Sequence, residues 1–175
     1  MEKSNIALIG FMGTGKTTIG EKLAKLLNMN FIELDEFIEE LAGKTIPHIF
    51  REQGEIRFRE YEIEACKKVS NKKNVVIACG GGVVLNKINI DYLKQKAIIV
   101  YLETSPSVIY ERTMKEGKEK RPLLDNPNPM KSITDLLQFR VPFYKAAAQY
   151  TINTEKDIDL IIKEIVEIFK KEKKR

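Results

Sequence analysis

The chain has 175 residues, a length that fits one domain with a sizeable core. It is 43% apolar and 31% charged, and no apolar run approaches the roughly 18 residues a membrane helix needs. The net charge of +5 is concentrated at Lys170, Lys171, Lys173, Lys174 and Arg175. A solvated helix end explains that cluster, and no aromatic platform or reading motif accompanies it to indicate nucleic-acid binding.

The first strand is expected within about five residues of the start, leaving no room for a signal or transit peptide and pointing to the cytoplasm. Cys66 and Cys79 lie far apart without C-x-x-C spacing, so both are read as reduced thiols with packing roles, Cys79 being near enough to a glycine run to line a site.

Apolar runs alternate with amphipathic stretches, which predicts βαβ units and a parallel sheet. Strands are expected at Asn5–Ile9, Phe31–Glu33, Val75–Ala78, Ile98–Leu102 and Tyr150–Asn153. Helices are expected to begin near Lys16, Asp35, Thr45, Ile56, Pro106, Ser132 and Asp157. The last of them carries an apolar stripe of Ile158, Ile161, Ile162, Ile165, Val166 and Phe169.

Between the first strand and first helix, residues Gly10 to Thr17 fit G-x-x-x-x-G-K-[ST] at every fixed position. Glycines let the backbone turn its N–H groups onto an anion, and the following helix offers its positive end to the same place. Gly13, Thr14, Gly15, Lys16, Thr17 and Thr18 are therefore the candidate nucleotide-binding residues. Lys16 reaches the β- and γ-phosphates, and the Thr17 hydroxyl can ligate Mg²⁺. The chemistry expected is that of ATP with Mg²⁺.

Ligands of an open parallel sheet sit beyond the carboxyl ends of its strands. The second strand ends in Glu33 and Asp35, and the third in Gly80, Gly81 and Gly82. Asp35 can accept a proton from a substrate hydroxyl, or it can simply cap the next helix. Glu33 can hold a Mg²⁺-bound water or orient Lys16. The triple glycine can leave backbone N–H groups bare for a substrate, or make only a tight turn. The third strand ends without an acid for the metal, so Mg²⁺ support falls to Thr17 and the acids at Glu33 and Asp35, or to water.

Arg59 and Glu62 are three apart and share a helix face, and Arg140 lies farther on. Two guanidinium groups converging on the crevice would fit a substrate carrying a carboxylate as well as a hydroxyl; surface ion pairs are the alternative. Lys115–Pro129 carries three prolines and one glycine without periodicity and reads as a mobile lid. His48 sits among apolar residues with no nucleophile to pair with and reads as a helix-surface or packing residue.

These motifs, in this order, resemble the shikimate kinase family. The resemblance rests on Gly10 to Thr18, Glu33 with Asp35, Gly54-Glu55 with Phe58-Arg59 and Glu62, and Gly80 to Gly82. It continues through Arg112-Thr113, Arg121-Pro122-Leu123-Leu124 and Arg140 with Pro142 and Tyr144. It implies an α/β fold of three layers, with a five-stranded parallel sheet in the order 2-3-1-4-5 flanked by helices. It implies one P-loop kinase domain over 1–175, with substrate-binding helices at about 34–62 and a lid at about 114–129. The implied reaction moves the ATP γ-phosphate to the 3-hydroxyl of shikimate, on the route to chorismate and aromatic amino acids.

By the same resemblance Lys16, Asp35 and Arg121 are catalytic, Asp35 meeting the accepting hydroxyl and Arg121 closing over the transferring group. Arg112 stacks on adenine. Arg59 and Arg140 clamp the shikimate carboxylate, Glu62 steadies Arg59, and Gly80 to Gly82 bind substrate through the backbone. Mg²⁺ is held by Thr17 and, through water, by Glu33. The implied enzyme is a cytoplasmic monomer acting on a small molecule. Two departures stand out: Glu33 replaces the family's usual Asp, and Thr154-Glu155-Lys156-Asp157 lacks the proline often found beside adenine. The alternatives are a P-loop kinase of another hydroxy acid such as gluconate, or a nucleotide-binding regulatory module without catalysis. The presence of Lys16, Asp35, Arg59, Arg121 and Arg140 argues against the regulatory module.

Overall fold

The computed structural model describes residues 3–116 and 126–174. Five strands, β1 (Asn5–Ile9), β2 (Asn30–Glu33), β3 (Val75–Ala78), β4 (Ala97–Glu103) and β5 (Tyr150–Asn153), form one parallel sheet in the order β2-β3-β1-β4-β5. β1 lies at its centre, pairing Ile6 with Val76 of β3 and with Ile98 of β4. Every residue of β1 is buried, as expected of a central strand covered on both faces.

The alternation along β1 separates two cores. Ile6 and Leu8 pack with Val76, Ile98 and Val100 against α1 (Lys16–Leu27) and α7 (Ile158–Lys173), through Leu23, Ile161 and Ile165. Ala7 and Ile9 point the other way, with Ile77, Ile99 and Tyr101. That face is covered by α3 (Ile46–Asn71), α4 (Lys87–Lys94) and α6 (Pro129–Ala147), contributing Ala65 and Val69, Leu93, and Ile133 and Tyr144. α2 (Leu34–Ala42) and α5 (Pro106–Glu116) complete the described helices. The architecture is thus the expected three-layer α/β sandwich with the expected strand order.

The two helices expected near Thr45 and Ile56 form one run bent at Gly54, whose φ of 78° is a conformation open to glycine and strained for other residues. α3 packs on both α2 and α4. A short 3-10 turn, Val83–Leu85, and α4 were not anticipated; Asn86 starts α4 by accepting a bond from Ile88 N. α6 begins at Pro129 rather than Ser132. β4 is longer than expected at both ends because it pairs on both sides, Ala97 with Asn5 of β1 and Glu103 with Asn153 of β5. Residues 117–125 of the expected lid, Arg121 among them, lie outside the described residues.

Candidate active site

The carboxyl ends of β1, β2 and β3 open on one crevice of about 330 Å³. Its floor is the loop after β1. Gly15 holds φ at 91° to turn the chain into α1, so the first N–H groups of that helix face the crevice. Thr14 is buried and ties the loop together by donating to Phe11 O at 2.8 Å. Lys16 Nζ rests on the loop itself, donating to Gly10 O at 2.9 Å and Phe11 O at 2.8 Å. Thr17 and Thr18 stand exposed at the mouth.

Thr17 Oγ1 donates to Glu33 Oε2 at 2.7 Å, so the first turn of α1 and the end of β2 meet here. Burial pushes the Glu33 carboxyl up, with Thr17 opposing it and neighbouring Asp35 adding to it. A hydroxyl and a carboxylate side by side are hard oxygen donors suited to Mg²⁺. That ion takes one or two protein ligands and completes its shell with water and phosphate. Among the described residues, no three His, Cys, Asp or Glu side chains cluster to hold a metal alone. The donor set therefore fits a Mg²⁺ shared with a nucleotide. The longer side chain of Glu33 still reaches Thr17.

Asp35 is not a helix cap: Glu33 occupies that position of α2 without a side-chain bond, and Asp35 lies in the first turn, facing the crevice. Its carboxylate sits against Gly80, where a Cβ would stand 2.5 Å from Asp35 Oδ1. The next two glycines repeat the relation with other partners. A Cβ on Gly81 would stand 3.2 Å from Arg140 Nη1, and one on Gly82 2.9 Å from Arg59 Nη1. None of the three has a positive φ, so a side chain here would meet no backbone strain but would have to displace the carboxylate or guanidinium beside it. The triple glycine thus brings together an acid from α2, a guanidinium from α3 and another from α6, opposite the phosphate loop. Its carbonyls are engaged, Gly80 O and Gly82 O by the 3-10 turn and Gly81 O by the Tyr144 hydroxyl at 2.6 Å.

The Arg59 guanidinium is held from behind. Arg59 Nη1 donates to both oxygens of Glu62 at 3.1 Å, and its Nη2 reaches Glu55 at 3.2 Å. Glu62 is 2% exposed and Glu55 lies at the surface, so the inner pair carries more of the positioning. Burial raises the Glu62 carboxyl, opposed chiefly by Arg59. Arg140 lies with its Cζ 5.8 Å from the Phe11 ring centroid. Its Nε is buried with no hydrogen-bond partner among the described residues.

A second pocket continues on the far side of the phosphate loop, between Arg112, Thr154, Lys156 and Ile158. Arg112 donates to Gly13 O at 3.2 Å and Thr154 O at 2.9 Å, tying α5 to the loop and to the end of β5. In the stretch where the family often has a proline, Glu155 ties the end of β5 to the segment after β4 by accepting from Ser105 N at 2.6 Å and Thr104 Oγ1 at 3.0 Å.

The structure therefore brings Lys16, Thr17, Glu33, Asp35, Gly80, Gly81 and Arg140 around one crevice, with Gly82 and Arg59 packed together next to it and Arg112 on the far side of the phosphate loop. Arg121 lies outside the described residues. Cys79 is fully enclosed beneath the crevice, and burial raises both its thiol and that of Cys66, as packing roles require. His48 pairs with Glu52 on an exposed helix face. Sequence reasoning gave no role to Tyr144, Phe11, Asn89 or Glu155. Tyr144 was within reach, since it lies four positions after Arg140, on the same helix face.

A family model described as shikimate kinase matches residues 12–170. A shikimate kinase from Caldanaerobacter subterraneus subsp. tengcongensis is 45% identical over 172 residues, covering 98% of this chain and 99% of its own. Another, from Thermodesulfovibrio yellowstonii, is 47% identical over 151 residues, 86% of each chain. Among solved structures, shikimate kinase from Acinetobacter baumannii in complex with shikimate superposes with a TM-score of 0.88 at 38% identity, covering 99% of this chain and 96% of that one. With the family model spanning most of its length and relatives this similar over nearly all of it, the chain belongs to the shikimate kinase family.

Proposed function

We propose that this chain transfers the γ-phosphoryl group of ATP to the 3-hydroxyl of shikimate, giving shikimate 3-phosphate on the route to chorismate. The observation that carries the reading is the arrangement at the triple glycine. Gly80, Gly81 and Gly82 lie against Asp35, Arg140 and Arg59 in turn, opposite the phosphate loop. A ring acid with one carboxylate and a hydroxyl matches two cations and one acid so placed.

In this reading Arg59 and Arg140 grip the acceptor carboxylate, while Gly80 to Gly82 let the ring approach the backbone. Asp35 then holds the accepting hydroxyl and takes its proton as the oxygen attacks phosphorus. Gly13, Thr14, Gly15, Thr17 and Thr18 cradle the nucleotide phosphates, and Lys16 swings from the loop carbonyls to the β- and γ-phosphates. Thr17, with Glu33 through water, would hold Mg²⁺, which offsets phosphate charge when bound. Arg112 and the pocket beside it take the adenine. Arg121, from the lid at about 114–129, is assigned to the transferring group, where a cation contributes on the order of several kcal/mol. Positioning and charge neutralisation supply the catalysis, and a dry site keeps water from competing for the phosphoryl group.

The domain is proposed to act as a cytoplasmic monomer, with the acceptor bound by the helices at about 34–62 and no nucleic acid or membrane involved. Among the described residues no helix is long and apolar enough to cross a membrane. Phosphorus NMR of a reaction containing ATP, Mg²⁺ and shikimate tests the reading. A new phosphomonoester coupled to the ring proton at C3 is expected; inorganic phosphate as the only product besides ADP would refute it.

A further inference from the structure

Asn89 of α4 is 0% exposed, although its side chain is an amide. Its Nδ2 donates to Glu62 Oε2 at 2.9 Å and to Val83 O at 3.1 Å, while its Oδ1 is buried without a hydrogen-bond partner. Turned the other way, the amide would set Oδ1 against a carboxylate and a carbonyl, so its neighbours fix which end points where. Only the donor end is in use. One of its bonds holds the acid that holds Arg59, and the other holds the residue that follows Gly82.

We propose that Asn89 is a positioning residue for acceptor binding: its two donated bonds tie Glu62 of α3 to the turn carrying Gly82 and so fix where the Arg59 guanidinium stands. The proposal rests on the assignment of Arg59 to the acceptor carboxylate. The groups facing Glu62 are Arg59 and Cys66 from its own helix, Asp35 from α2, Cys79 from the end of β3, and Asn89. Burial pushes the Glu62 carboxyl up, Arg59 and then Asn89 pull it back, and Asp35 adds to the rise. Removing the amide donor therefore lets Glu62 take up a proton at higher pH and release Arg59.

Two variants of nearly the same size move the balance in opposite directions. Asn89→Leu removes the donor, so the KM for shikimate should rise most on the acid side. Asn89→Asp donates to Glu62 while protonated and repels it once ionised, so its KM should rise most on the alkaline side. Each rise should be about tenfold, the loss of one hydrogen bond to a charged group, with kcat and the KM for ATP within about twofold of wild type. The pH profile is the decisive readout, since loss of packing alone would not reverse its direction between the two variants. Unchanged KM values, equal losses for both substrates, or failure of both variants to fold would make Asn89 merely structural and overturn the proposal. Wild-type enzyme run alongside separates the two levels. If it does not phosphorylate shikimate, the functional reading itself fails; if it does and the variants match it, only the role of Asn89 falls.

Discussion

Replacing Gly82 with alanine tests the acceptor clamp with a single methyl group. Gly82 has φ −95° and ψ −3°, which alanine adopts without strain, so the backbone has no reason to move. The new Cβ would stand 2.9 Å from Arg59 Nη1 and 3.0 Å from Nη2. Ordinary contact needs about 3.5–4.0 Å, so the guanidinium must retreat by roughly 0.6–1.1 Å. Glu62 is packed behind it and can follow little. A shift of that size breaks a hydrogen bond between ions, worth about 1.5–3 kcal/mol, or roughly 10- to 150-fold in affinity. Steady-state kinetics with shikimate varied at saturating ATP should therefore show the KM for shikimate rising by that factor, with kcat nearly unchanged. Gly80→Ala makes the contrast: its Cβ would stand 2.5 Å from Asp35 Oδ1, so kcat should fall while the KM for shikimate changes less. A Gly82→Ala enzyme with wild-type KM, or the same kinetic change from both variants, would refute the assignment of separate roles to the two glycines.

Asp35→Asn should lower kcat by about 10²- to 10⁴-fold while ATP binding, read by calorimetry, persists; surviving turnover would remove Asp35 from the chemistry. Arg59→Ala should raise the KM for shikimate roughly tenfold or more with a smaller effect on kcat, and an unchanged KM would count against the clamp. Arg121→Ala should lower kcat by about 10²- to 10³-fold at near-constant KM values, and a wild-type kcat would end its assignment to the transferring group. Because burial raises the Glu33 carboxyl, protons compete with Mg²⁺ at higher pH than at an exposed glutamate. Apparent Mg²⁺ affinity in the presence of ATP should weaken as pH falls toward that raised value. Glu33→Gln should bind Mg²⁺ more weakly with a flatter pH response; an equally steep response would place the titrating group elsewhere. The same shift affects folding with a definite sign. The stabilisation from protonated Glu33 is complete below the ordinary value of 4.5 and is lost as pH rises through the raised one. Glu33→Gln should lack that loss in thermal melts.

Much of this could be read along the chain because it is written locally. The phosphate loop is a contiguous pattern, and β1 and β3, the first an apolar run after Asn5 and the second apolar throughout, have the expected boundaries. The last helix announces itself by its stripe, and Ile161, Ile162, Ile165 and Phe169 are buried as that stripe requires. α4 was missed because it is short and its pattern is mixed. Ile88 is 49% exposed while the polar Asn89 is enclosed, which inverts the rule that periodicity relies on. The triple glycine was legible as a place of close approach, but the groups doing the approaching were not. Asp35, Arg140 and Arg59 reach it from three elements distant in sequence, and only the folded chain sets each against its own glycine. The polar ties among Arg112, Thr154, Glu155 and Ser105 likewise join a helix and two connecting segments that no single stretch records.

The most direct test of the central claim is ADP release by the full chain with ATP and Mg²⁺, measured with shikimate, with gluconate and with no acceptor. Release that depends on shikimate and is absent with gluconate is the predicted result, and it would tie the phosphate loop and the two-arginine clamp to one reaction. Release with gluconate alone, or measurable ATP binding with no release that depends on an acceptor, would contradict it.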